Sequence, residues 1–150
     1  VTTFRRQAKE LMKMQTELGQ QLQKARNEEM KLRITFERGK EEFAGVTRRL
    51  TIELSELPNV NQPDPKTGRT NQEWTKMLLD QELENNEEFR TALVKFWNLQ
   101  EGFFAAQSKM IDLADQLSIT KSQARLLSAL LQLEAEDEDE ELKATVAGTE

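Results

Sequence analysis

The chain contains no cysteine, no histidine and no tyrosine. Without cysteine there is no disulfide framework and no thiolate nucleophile, and the redox compartment is left open. Without histidine the usual near-neutral acid/base group and the commonest transition-metal ligand are missing. A catalytic triad, a CxxC pair and a phosphate-cradling glycine loop are also absent, so the composition speaks against an enzyme and against a cofactor or a small-molecule substrate. No apolar run reaches the ~18 residues that span a bilayer, and Val1-Thr-Thr-Phe-Arg-Arg6 is not a secretory signal. A soluble, cytoplasmic protein is the expectation. Arg5, Arg6 and Lys9 stand where a helix N-terminus favours acids, and the chain starts at Val1, which points to further residues upstream.

Proline is nearly absent too, and its placement is informative. Pro58, Pro63 and Pro65 fall in one short window with Gly68 close behind, and the rest of the chain has none. Proline removes a helical amide donor and clashes with the preceding turn. The distribution therefore predicts two long helices, over 1–57 and 71–117, joined by a turn-rich loop over 58–70 that is chiefly a solvated elbow.

What is abundant is charge and helical periodicity: 37% of residues are hydrophobic and 32% charged. Written as heptads from Val1, the a positions are Val1, Ala8, Gln15, Leu22, Glu29, Phe36, Phe43, Leu50 and Leu57. The d positions are Phe4, Leu11, Leu18, Ala25, Leu32, Gly39, Val46 and Glu53. Thirteen of the seventeen are apolar in one unbroken register, the pattern of a coiled-coil seam. Gln15 and Glu29 cost stability in such a seam, and Gly39 weakens the helix locally.

The second helix opens on Thr70-Asn71-Gln72-Glu73, which fits a capping box with Thr70 as the cap. Its seam, Phe89, Ala92, Phe96, Leu99, Phe103, Ala106, Met110, Leu113 and Leu117, alternates three and four apart. A second row of Leu93, Trp97, Phe104 and Ile111 widens the apolar sector beyond what one partner helix needs, and these four are the expected protein interface. Folding the arms antiparallel with Leu57 opposite Thr70 sets Leu11 against Leu117. Ser118-Ile119 interrupts the pattern, and Thr120-Lys121-Ser122-Gln123 reads as the cap of a third helix over 121–133, folded back over the open end. Residues 1–133 then form one domain. The acidic stretch over 134–150 reads as a partly disordered tail, because acids at a helix C-terminus oppose the macrodipole.

Residues 1–50 carry 12 Lys/Arg and 7 Asp/Glu, whereas 51–150 carry 9 and 20. The basic first helix could follow a phosphate backbone. Interleaved acids at Arg6/Glu10, Lys13/Glu17, Lys24/Glu28 and Arg33/Glu37 instead describe a solvated coiled-coil surface of i,i+4 pairs. The segment Leu113-Ala-Asp-Gln-Leu-Ser-Ile-Thr-Lys-Ser-Gln-Ala-Arg-Leu-Leu-Ser-Ala-Leu130 resembles the helix-turn-helix of bacterial regulators. That resemblance implies that Thr120, Lys121, Ser122, Gln123 and Arg125 would face a major groove. Ser118 replaces the usual turn glycine, Ala124 a usual β-branched residue, and six acids follow at 136–141.

All-helical nucleotide pyrophosphohydrolases hold magnesium on Glu-rich helices, and the nearest imitation here is Glu84, Glu87 and Glu88 with Asp112 and Asp115. On one straight helix Glu87 and Asp112 would stand ~37 Å apart, too far for one ion, so no metal site is expected. The sequence thus predicts an all-α protein: a long antiparallel coiled-coil hairpin with a shorter third helix, forming a homodimeric multi-helix bundle. The expected role is a scaffold, adaptor or assembly component acting on protein partners. The alternative is a nucleic-acid-associated accessory protein using residues 113–130 and the basic first helix.

Overall fold

A computed structural model describes residues 2–149, and they are all-α: helix α1 over Thr2–Ser55, α2 over Gln72–Asn85 and α3 over Glu87–Thr149. Val1 and Glu150, which the sequence places in the first heptad and the acidic tail, lie outside the described residues. Helix α1 runs uninterrupted because nothing in it breaks a helix, and it stops two residues short of the predicted Leu57. The reason is Pro58, whose ring disfavours helical geometry in the residue before it. The chain turns there through Leu57 N–H to Leu54 O at 3.1 Å and Val60 N–H to Leu57 O at 3.1 Å.

The connection over 56–71 is more than a solvated elbow. Val60 is wholly buried. Asp64 organises the second half: its carboxylate accepts the Lys66 N–H at 2.9 Å and the Asn71 Nδ2 at 2.9 Å, while its backbone carbonyl accepts Gly68 N–H at 2.7 Å. Gly68 sits at φ +65°, a left-handed conformation that any larger side chain would strain. Asn71, not Thr70, caps α2, accepting Trp74 N–H on its side-chain oxygen at 2.8 Å.

The predicted helix over 71–117 is two helices. Asn86 leaves helical geometry at φ −76°, ψ 125°, and its side-chain oxygen accepts Phe89 N–H at 3.0 Å, starting α3 with Glu87 and Glu88 in the first turn. Arg90 closes the end of α2 by donating its Nε to the Glu84 carbonyl at 2.5 Å. Beyond that point α3 does not break. Ser118 and Ile119 are helical, so the separate helix over 121–133 is part of α3, and helix continues through the acidic stretch expected to fray. The seam simply carries on, through Thr120, Ala124, Leu127, Leu131 and Glu134. Thr120 is buried, and its hydroxyl donates to the Gln116 carbonyl at 2.8 Å, so its own helix satisfies the polar group.

Burial follows the heptads. Every a and d position of α1 from Phe4 to Leu50 is buried or half-buried, Glu53 is exposed, and the α3 seam from Phe89 to Glu134 is covered throughout. The chain forms two compact units, one of Val1–Glu28 with Gln107–Glu150 and one of Glu29–Ala106.

In the Glu29–Ala106 unit α1 and α3 run antiparallel. Phe43 meets Phe89 and Phe96, Phe36 meets Phe96 and Phe103, Arg49 pairs with Glu88, and Lys95 reaches Glu42 at 3.3 Å. The partners lie about three helical turns further along α3 than a hairpin with Leu57 opposite Thr70 would put them. The shift accompanies a longer connection: the whole stretch from Glu56 to Asn86, α2 included, separates α1 from α3. In the other unit Leu11 shares a groove with Leu127, again beyond the expected Leu117.

Candidate interaction site

Two apolar surfaces stand out, one on each unit. In the Glu29–Ala106 unit the core is an aromatic ladder. Phe36 stacks on Phe103 with centroids 5.2 Å apart and planes at 10°, and Phe43 stacks on Phe96 at 5.1 Å and 14°. Gly39 lies between them in sequence, and a Cβ there would run into the side-chain end of Leu99. The glycine that weakens α1 thus lets Leu99 approach its backbone.

The ladder has an outer edge. Phe104 touches Phe36 and Phe103, at 6.3 and 5.7 Å, yet remains 49% exposed; Trp97, one heptad earlier, is 54% exposed. Leu93 is half-buried. Of the interface residues expected from sequence, these three therefore belong to one unit, and Ile111, also exposed, belongs to the other.

The unit that contains Ile111 has an apolar groove of about 340 Å³, with Phe4, Leu11 and Met14 of α1 on one wall and Leu126, Leu127 and Leu130 of α3 on the other. Only Leu127 of these is buried; Leu126 is 65% exposed. Ile119 and Leu133, seven residues to either side of Leu126, extend the apolar face along α3 and are likewise exposed. Sequence reasoning assigned these leucines to a separate, folded-back helix, because the presumed break at Ser118 hid the heptad running through them. Thr120 at a d position was the signal, concealed by its polarity.

The residues assigned to a nucleic-acid surface are arranged differently from a helix-turn-helix. Residues 113–130 are one continuous helix, so the turn that motif requires is not there. Thr120 faces inward, while Lys121, Ser122, Gln123 and Arg125 are exposed on α3. The four i,i+4 pairs expected on α1 are not formed: Arg33 pairs with Glu29 instead of Glu37, and Arg6, Lys13 and Lys24 make no ion pair among the described residues. Arg49 donates side-chain hydrogen bonds to the Glu88 and Glu53 carboxylates, and its guanidinium pKa is raised above its ordinary value. No cluster of three acids able to hold a metal ion occurs among the described residues, and none of their helices is long and apolar enough to cross a membrane. No protein-family model, curated protein or solved structure matches this chain.

Proposed function

We propose that this is a non-enzymatic coiled-coil scaffold or assembly component whose helices self-associate and recognise protein partners through surfaces left over from their own pairing. The observation that carries the reading is the outer edge of the aromatic ladder: Trp97 and Phe104, at 54% and 49% exposure, sit a heptad apart on a helix whose seam is already filled. Large aromatics on one exposed face are the residue type that dominates protein interfaces, and burying them against a second helix is what their spacing suits. The continuous heptads of α1 and α3 point the same way.

Sedimentation equilibrium over a wide concentration range tests the reading. Association that weakens in Trp97→Ala and Phe104→Ala, with helicity kept, is the expected result. A chain that stays monomeric at every concentration would remove the self-association half of the proposal.

A further inference from the structure

The apolar groove over Phe4, Leu11, Met14, Leu126, Leu127 and Leu130 has a specific occupant. We propose that it is covered by the same groove of a second copy, about a two-fold axis parallel to the helices, so that α1 of each copy lies on α3 of the other and four helices close into a bundle. The inference rests on the self-association reading and adds a second surface, on the other unit from Trp97 and Phe104, and its geometry.

Two side-by-side helices bury little. Up to Glu28 and from Gln107 on, the buried apolar residues are Leu22, Ala25 and Leu127 alone among those described. Met14, Ile119, Leu126, Leu130 and Leu133 remain 46%, 58%, 65%, 40% and 57% exposed. A pair of helices with a broad apolar flank packs stably when two more helices close over it, which is the four-helix solution.

Charge chooses the occupant and its orientation. The α1 segment over 4–14 carries Arg5, Arg6, Lys9 and Lys13 against Glu10 alone; the α3 segment over 123–137 carries Glu134, Glu136 and Asp137 against Arg125 alone. The α1 wall is thus basic, and α3 turns acidic just past the groove, from Glu134 on, so this end of the face is complementary to itself when α1 lies on the partner's α3. The other two-fold, perpendicular to the helices in the plane of the face, would stack basic α1 on basic α1 and acidic α3 on acidic α3. Under the parallel axis Glu10 meets the acidic helix and Arg125 the basic one, two unfavourable charges against four basic and three acidic ones.

The absence of cysteine makes the geometry measurable with single spin labels. Ser108→Cys and Ser122→Cys each place one label on an exposed position of α3 in the full-length chain. With helix axes ~8–10 Å apart, the parallel axis holds both label pairs at the same level across the bundle, within roughly 30 Å including the label arms. The perpendicular axis, centred on Leu126, would separate the Ser108 labels by ~54 Å at 1.5 Å per residue. Short distances at both positions, lost together with dimerisation in Leu126→Glu, are expected, with at least a tenfold weaker association in that variant.

A long Ser108 distance overturns the orientation, and a dimer that survives Leu126→Glu overturns the surface; both leave self-association standing. A chain that never associates, with no dipolar signal, overturns the inference and the reading beneath it. Leu126→Ala, which removes less surface and adds no charge, guards against misfolding: it should weaken the dimer while keeping the wild-type helicity.

Discussion

Phe36 and Phe103 stack nearly parallel, 5.2 Å between centroids and 10° between planes, and both are at least nine-tenths buried. Phe36 also contacts Phe96 and Phe104, so one side chain of α1 is gripped by three rings of α3. In a unit whose elements meet along a single seam, such a point carries a large share of the packing energy.

Phe36→Ala should therefore cost about 3–5 kcal/mol, the range for removing a buried aromatic and leaving a cavity. Phe104→Ala removes a ring from the same cluster that is half in water, and should cost about a third as much. Urea denaturation of the two variants checks the ratio. Equal losses would mean that Phe104 is buried in solution by something other than its own chain.

The boundary at Asn86 gives a second expectation. Its side-chain oxygen accepts Phe89 N–H at 3.0 Å, one of the amides that α3 cannot satisfy internally. Asn86→Ala should destabilise the protein by about 1 kcal/mol, and Asn86→Ser should restore most of the loss. Thermal melts of the three proteins decide it. If alanine matches asparagine, the break owes nothing to the cap, and α2 can join α3 at no cost.

The helical class, the seams and the place of the reversal were legible because each rests on a local signal: the proline cluster, and apolar residues three and four apart. The break at Asn86 was also written locally, as an asparagine followed by Glu87 and Glu88, but Leu83 and Phe89 on either side hid it under apparent continuity. At Ser118 the error ran the other way. Thr120 belongs to the seam, yet a hydroxyl there reads as a boundary unless one knows that Gln116 accepts it. Register was not legible at all. It depends on how much chain the reversal consumes, and α2 consumes fourteen residues that pattern alone assigned to the long arm.

Glu29 is the polar residue of the seam whose role can be measured. It is 4% exposed at an a position, and its carboxylate is held by Arg33 one turn on, a side chain that is itself half in water. A buried charge with one partner is tolerated at a cost, because desolvation consumes most of what the pair gains. Glu29→Leu should accordingly raise stability by about 1–2 kcal/mol. Arg33→Ala should lower it by about 1–3 kcal/mol, since the carboxylate then stays buried with its partner gone.

The pair of signs is the point of the experiment. A stabilising Glu29→Leu whose oligomers become heterogeneous by light scattering would identify Glu29 as a register device, kept because a uniformly apolar seam could slide. A stabilising Glu29→Leu whose oligomers stay uniform would assign register to the aromatic ladder instead, where Gly39 admits Leu99. If Glu29→Leu destabilises, the seam at that level is polar by need, and Glu29 has a partner beyond Arg33 in the assembled state.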